Sequence, residues 1–204
     1  MKTAVALGEI EDAVHSACRA PSFHNSQPWI WVLESTTLRL FLDPDQLVDT
    51  DSAGRQALLS CGAALDHLRV VMAARGWEIL VDRFPNPNNR HHLADIDFRQ
   101  SAGITTAQRR DADAVARRRS DRLPYGPVEN PAAFETLLRL AVEDRPTYVD
   151  VLAPQQRDKV AEASHLAEAL RMYDTEYHAE LDWWTAPFGA TTGIPHSALV
   201  SAAE

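Results

Sequence analysis

The chain has 204 residues, of which 45% are hydrophobic and 24% are charged, and its formal net charge is −9 at pH 7. This composition allows a sizeable core and excludes a wholly disordered chain. The acidic balance argues against broad binding to nucleic acid or to an anionic membrane surface. No run approaches the ~20 apolar residues of a membrane span, and the N-terminus lacks a signal-peptide pattern. The sequence therefore predicts a cytoplasmic protein.

Hydrophobic periodicity and stop signals predict a chain of helices and strands. The first helix ends at Ala20-Pro21, because the residue before a proline avoids helical geometry, and a later core helix ends near Gly76. The glycine, threonine and proline residues between Thr185 and Glu204 predict a loop or lid without a strand. The predicted elements, in chain order, are helix Glu9–Arg19, strands Trp29–Leu33 and Thr37–Leu42, a helix from about Ser52 to Arg75, strands Trp77–Phe84 and Leu93–Phe98, a basic helix from Thr106 to about Arg117, helix Pro131–Val142, strand Thr147–Leu152, and helices from about Gln155 to Tyr173 and Thr175 to Trp184.

The two cysteines, Cys18 and Cys61, both lie among apolar residues of predicted helices. This setting predicts buried free thiols in a reducing compartment. The cysteines and histidines show none of the spacings that mark metal sites, so no metal ligand is predicted.

A polar turn, Pro21-Ser22-Phe23-His24-Asn25-Ser26-Gln27-Pro28, separates the first helix from the first strand. Its side-chain amides can both donate and accept hydrogen bonds, which suits the edge of a flavin pyrimidine ring. Backbone N–H groups of the turn can add further donors. The residues alone also allow, and slightly favour, a polar Asx-type turn whose only task is to join a helix to a strand.

A second polar element, Arg118-Arg119-Ser120-Asp121-Arg122, follows the basic helix. If the chain is extended here, Arg118, Ser120 and Arg122 point to one side and the other two residues point away. Two guanidinium groups and a hydroxyl would then form a phosphate cradle. The alternative is a solvated basic helix end, since cations also favour a helix C-terminus.

Together these two elements resemble those of FMN-dependent nitroreductases. The family carries a Pro-Ser-x-x-Asn-x-Gln-Pro-Trp element that contacts the flavin ring, and here it stands intact as Pro21–Trp29. The family also carries an Arg-x-Ser-x-Arg/Lys element for the flavin phosphate and ribityl chain, which is matched here by Arg118, Ser120 and Arg122. The nine-residue element is the more specific of the two.

The order of the elements is reversed relative to ordinary nitroreductases, in which the arginine element comes first and two subunits share each flavin. Together with Cys18-Arg19-Ala20-Pro21-Ser22 and Gly193-Ile194-Pro195-His196-Ser197, this order resembles the Acg-type nitroreductase-like proteins of mycobacteria and relatives. The resemblance implies an α+β fold, with helices packed on a mostly antiparallel sheet. It further implies a fused pseudo-dimer with a first copy over residues 1–105 and an incomplete second copy over residues 106–204, and the full-length form would be a monomeric pseudo-dimer.

The resemblance also implies an oxidoreductase that binds FMN. NADH or NADPH would reduce the flavin, and the flavin would then reduce a small nitroaromatic or quinone substrate. The implied cofactor-binding residues are Ser22, His24, Asn25 and Gln27 for the ring and Arg118, Ser120 and Arg122 for the phosphate. No side chain needs to act as nucleophile or general base, so no catalytic residue is named. The alternative is a protein that holds or sequesters flavin without turnover.

Overall fold

The structure, a computed structural model, describes residues 5–123, 125–143, 147–185, 192–195 and 198–199. Helices and strands alternate along the first half of the chain, and helices follow in the second half. The elements are α1 (Leu7–Ala17), β1 (Trp29–Glu34), β2 (Thr37–Leu42), α2 (Arg55–Ala74), β3 (Trp77–Arg83), β4 (His92–Gln100), α3 (Thr106–Arg117), α4 (Pro131–Val142), α5 (Pro154–Arg171) and α6 (Thr175–Thr185).

The four strands form one antiparallel sheet in the order β1-β2-β4-β3. The two predicted strands, β1 and β2, are present and pair as an antiparallel hairpin with Trp31 opposite Leu40. Leu38, Leu40 and Leu42 are buried while the residues between them are partly exposed, as expected for a strand with one face on the core. The α+β class is therefore confirmed.

Helix α2 is the centre of the core. It packs against α1, α3 and β3, and its Ala64, Leu68 and Met72 are fully buried. Burial of each large apolar side chain contributes about 1.5–3 kcal/mol. The helix is long and apolar enough to cross a membrane, but these buried residues identify it as a core helix of this fold.

Both ends of α2 depend on residues that suit a left-handed backbone. Gly54 precedes the helix with φ 63°, and Gly76 follows it with φ 84°. The Asp51 carboxylate accepts hydrogen bonds from the N–H groups of Gln56 and Ala57, both at 2.9 Å. These bonds satisfy two of the first free N–H groups of the helix.

The chain forms two compact units, residues 1–121 with 180–204, and residues 122–179. The second unit contains α4 and α5, and none of its residues within the described ranges is buried. Several large apolar side chains of this unit are exposed, among them Phe134, Leu137 and Leu170. The predicted boundary at residue 105 separates two nitroreductase-like copies in the sequence. The two compact units do not test that boundary, so it stays a prediction.

The short strand predicted over Thr147–Leu152 is wrong, because this segment has no strand geometry. Its β-branched and aromatic residues favour extended backbone, but a strand also needs a neighbouring strand with which to form a ladder. Here the Val149 carbonyl instead accepts a 2.7 Å hydrogen bond from the Arg139 side chain.

Candidate functional site

The turn between α1 and β1 contains three non-glycine residues with left-handed backbone. These are His24 with φ 49°, Asn25 with φ 57° and Gln27 with φ 52°. Such residues cost about 1–3 kcal/mol each and cluster at functional sites, although asparagine tolerates this region better than most. The imidazole of His24 lies 4.1 Å from the ring centroid of Phe23. A strained backbone at this position favours a functional turn over a simple connection.

Two residues of helix α2, Ser60 and Cys61, hydrogen-bond to the backbone of the turn. The Phe23 N–H donates to the Ser60 hydroxyl at 3.1 Å, and that hydroxyl donates to the Gln56 carbonyl at 2.7 Å. The Cys61 thiol donates to the Pro28 carbonyl at 3.1 Å. Within the turn, the Ser22 hydroxyl oxygen accepts from the Gln27 N–H at 3.1 Å. The core helix therefore sets the conformation of the turn.

Asn25 is also bonded to the segment near the end of the chain. Its side-chain amide donates to the Gly193 carbonyl at 2.9 Å, and the Gly193 N–H donates to the Asn25 carbonyl at 3.2 Å. The neighbouring Ile194 N–H donates to the Trp184 carbonyl at 2.6 Å. Residues His196 and Ser197, which contribute to the sequence resemblance, lie outside the described residues. The structure thus joins one predicted ring-contacting residue to the lid-like segment.

The arginine element begins where α3 ends. Arg118 has φ −52° and ψ 136°, so the chain leaves the helix in extended form, which is the condition under which Arg118 and Ser120 point to the same side. Its guanidinium donates to the Ser120 hydroxyl at 3.3 Å, which places these two side chains on one side. Arg119 donates at 2.8 Å to the Arg118 carbonyl and also to the Ala116 and Arg117 carbonyls. Arg119 therefore caps the C-terminal end of α3.

Arg122, the third predicted phosphate ligand, is exposed and belongs to the second compact unit. The structure therefore brings together Arg118 and Ser120 of this element, and the role of Arg122 rests on the sequence alone.

Arg19 and Arg118 connect the two elements. The Arg19 guanidinium donates to the Ala116 carbonyl at 2.9 Å and to the Arg118 carbonyl at 3.5 Å. In return, the Arg118 guanidinium donates to the Arg19 carbonyl. Because Arg19 lies two residues before Pro21, these bonds place the arginine element beside the start of the polar turn. In the sequence, Arg19 stands out only as part of the Cys18–Ser22 match to the Acg-type proteins.

The electrostatic environment of this junction is strongly basic. Burial lowers the pKa of the Arg118 guanidinium, and Arg19 and Arg119 lower it further. The pKa of the His67 imidazole on α2 is also lowered, first by burial and then by Arg118, with Arg19 acting in the same direction and Asp66 opposing. Sequence reasoning missed His67, because no spacing in the sequence shows that α3 packs beside it.

The comparisons with known proteins extend over almost the whole chain. No protein-family model matches it. It is 52% identical over 203 residues to the Mycobacterium tuberculosis protein named "Putative NAD(P)H nitroreductase acg", a match that covers 99% of this chain and 61% of that protein. A second M. tuberculosis protein, whose name also begins "Putative NAD(P)H nitroreductase", is 38% identical over 180 residues. This match covers 88% of this chain and 52% of that protein.

Among solved structures, a nitroreductase in complex with FMN from Exiguobacterium sibiricum matches 60% of this chain and 85% of its own, with 13% identity and a TM-score of 0.39. Nitroreductase A of Vibrio parahaemolyticus matches 79% of this chain and 84% of its own, with 9% identity and a TM-score of 0.40. At these TM-scores we base no conclusion on the structural likeness.

The sequence matches nonetheless confirm the resemblance that the Pro21–Trp29 and arginine elements carry. The chain is therefore similar along 99% of its length to the M. tuberculosis protein named "Putative NAD(P)H nitroreductase acg", and it spans about three fifths of the length of that protein.

Proposed function

We propose that this chain provides an FMN-binding site of an NAD(P)H-dependent oxidoreductase. One observation carries the proposal: the reciprocal hydrogen bonds of Arg19 and Arg118 bring the ring element and the arginine element together. In this proposal, Arg118, Ser120 and Arg122 hold the flavin phosphate and ribityl oxygens. Ser22, His24, Asn25 and Gln27 contact the ring. The first element belongs to a first copy over residues 1–105, and the second to a copy that begins at residue 106.

The residues of the phosphate half fit such a group. The Nε–H of Arg118 is buried and has no hydrogen-bond partner, so the guanidinium retains a donor for an anion in addition to its bonds to Arg19 and Ser120. Arginine suits this task because its planar donors match phosphate oxygens.

The ring half fits only after a rearrangement. The Asn25 amide donates to the Gly193 carbonyl, so it can donate to a flavin only when that bond opens. Ser22 already accepts the Gln27 N–H through its hydroxyl oxygen, which leaves the hydroxyl proton for donation.

When bound, the flavin would take hydride from a nicotinamide and pass electrons to a small nitroaromatic or quinone. The protein would bind and orient the cofactor and tune its electronics. The cationic side chain of Arg19 or Arg122 would favour negative charge on the flavin. No side chain of the turn needs to act as nucleophile or base.

A second candidate function is the binding of flavin without turnover. The two hydrogen bonds between Asn25 and Gly193 favour it, because they occupy a side chain that is proposed to contact the ring and would hinder a substrate from approaching there. Both candidates bind FMN, and they differ in the access of nicotinamide and acceptor to the bound cofactor.

An anaerobic spectrum separates the two. Purified protein supplied with FMN should show bound-flavin absorbance, which NADH or NADPH should bleach and a nitroaromatic should then restore. Bound flavin that neither nicotinamide bleaches would favour the second candidate. Absence of bound flavin would contradict both. Arg122→Ala should weaken flavin retention, and unchanged retention would remove Arg122 from the site.

A further inference from the structure

A cavity of about 210 Å³ opens between helices α1, α2 and α3. It lies along the C-terminal half of α2, whereas Ser60 and Cys61, which anchor the polar turn, lie in the N-terminal half of that helix. Of the residues in the flavin proposal, only Arg19 lines this cavity. The volume is below the roughly 300–1,000 Å³ of sites for drug-sized ligands, so a ligand that fills it is small.

The cavity has an apolar wall made of small side chains from α2 and α3. These are Val71, Ala74, Ala112, Val115 and Ala116. Val71 and Val115 are also buried members of the core, so the wall is a fixed part of the fold. Such a wall accepts a short hydrocarbon group, whose removal from water is favourable.

Three ionisable side chains line the same cavity. Arg19 follows α1, Arg75 follows α2, and Asp113 lies on α3. None of the ion pairs formed among the residues that the structure describes involves any of the three. Neither guanidinium group therefore neutralises the Asp113 carboxylate, and the cavity offers positive and negative charge at separate places.

Backbone carbonyls hold both arginines at the cavity. Arg19 donates to the Ala116 carbonyl at 2.9 Å, and Arg75 donates to the Glu9 carbonyl at 2.8 Å. Each guanidinium group has more N–H donors than these bonds use, and Arg19 Nε is buried without a hydrogen-bond partner. The two arginines are partly buried, whereas Asp113 is exposed. An anionic group of a ligand is therefore favoured inside the cavity and a cationic group at its mouth.

We propose that this cavity binds a small apolar α-amino acid as its zwitterion. Its carboxylate lies between Arg19 and Arg75, because the planar donors of arginine match carboxylate oxygens. Its ammonium group lies at Asp113, and its side chain packs on the apolar wall. A simple carboxylate would meet a like charge at Asp113, and a simple amine would leave both guanidinium groups without an anion. The inference goes beyond the proposed function and does not rest on it.

Three probes of similar shape test the assignment on the whole chain near pH 7. They are L-valine, isovalerate, which lacks the ammonium group, and isobutylamine, which lacks the carboxylate. NMR titrations followed at the methyl signals of Val71 and Val115 should show saturable binding of L-valine. Isovalerate should bind about threefold more weakly, and isobutylamine about tenfold more weakly. Equal affinity for L-valine and either analogue would overturn the assignment.

The charge at the mouth is tested by a pair of variants on α3. Asp113→Asn should weaken the binding of L-valine about threefold and remove the preference over isovalerate. Asp111→Asn removes a carboxylate that pairs with Arg110 on the same helix and does not line the cavity. It should bind L-valine as the wild type does, and equal behaviour of the two variants would contradict the role of Asp113.

A second pair of variants tests the cavity itself without a change of charge. Ala112→Leu places a larger side chain in the wall and should abolish the binding of L-valine. Ala114→Leu adds the same side chain at an exposed position of α3 outside the cavity and should bind as the wild type does. Leucine is a good helix former, so we expect both variants to fold. If L-valine causes no saturable shift at Val71 and Val115, or if Ala112→Leu binds it as Ala114→Leu does, the inference is wrong.

Discussion

Arg19 and Arg118 hydrogen-bond to each other's backbone carbonyls across 99 residues of sequence. The bonds fix the end of α3 against the chain that enters the polar turn. They make the predicted ring element and the predicted phosphate element neighbours.

Arg118→Ala should lower the free energy of unfolding by about 1–2 kcal/mol, since it leaves the Arg19 carbonyl without its donor. Arg119→Ala is the matched control, because Arg119 is exposed and bonds only to carbonyls at the end of α3. It should cost less than about 0.5 kcal/mol. Urea unfolding measures both, and equal losses would contradict the role given to Arg118.

Gly193→Ala should detach the lid-like segment from the turn. Gly193 has φ 91°, and a Cβ there would lie 2.9 Å from the Trp184 carbonyl oxygen, so alanine would be strained by about 1–3 kcal/mol. Hydrogen exchange of the Gly193 and Ile194 amides should accelerate. Gly103→Ala meets no atom within 4 Å and should leave exchange unchanged. Unaltered protection in Gly193→Ala would show that the Asn25 contact does not depend on this glycine.

The two cysteines should resist alkylation to different extents. Burial raises the pKa of the Cys61 thiol to about 12, and Cys61 is 1% exposed. The pKa of Cys18 is raised by burial too, with Trp29 and Trp31 opposing, but Cys18 is only partly buried. Since the thiolate is the reactive form, iodoacetamide near pH 8 should label Cys18 slowly and Cys61 only after unfolding. Rapid native labelling of Cys61 would contradict its burial.

His67 should make stability depend on pH. Its folded pKa lies below its ordinary value of 6.5, so the unfolded chain binds more protons between those two values. The free energy of unfolding should therefore fall as pH falls from about 6.5 through the folded pKa. His67→Gln should lose less stability than the wild type between about pH 7 and pH 5. The control is His15→Gln, at an exposed position on α1, which should lose as much stability as the wild type. If His67→Gln also loses as much stability as the wild type, His67 does not have this role.

Much of the fold was predictable because its signals are local. Alternation in Thr37–Leu42 predicts the strand, and the apolar stripe with Gly76 at its end predicts α2. The strand at 147–152 was predicted wrongly, because strand propensity says nothing of whether a partner strand lies alongside. Helix bounds differ by a few residues, as at α1, where capping and fraying decide the ends.

The candidate site was predictable only in part. The polar residue types of the turn and of Arg118–Arg122 are visible in the sequence, but the left-handed backbone of His24, Asn25 and Gln27 depends on anchoring by Ser60 and Cys61. Arg19 and His67 gain their significance only when α1, α2 and α3 pack together. Such tertiary juxtapositions leave no spacing in the sequence.

The most direct test of the account is a flavin fluorescence titration of the wild type, Arg118→Gln and Arg119→Gln with FMN and riboflavin. The wild type should bind FMN more tightly than riboflavin, and Arg118→Gln should weaken FMN binding about tenfold. Arg119→Gln should bind FMN as the wild type does. Failure of the wild type to bind FMN, or equal affinity in wild type and Arg118→Gln, would contradict the claim that the joined elements form a flavin site.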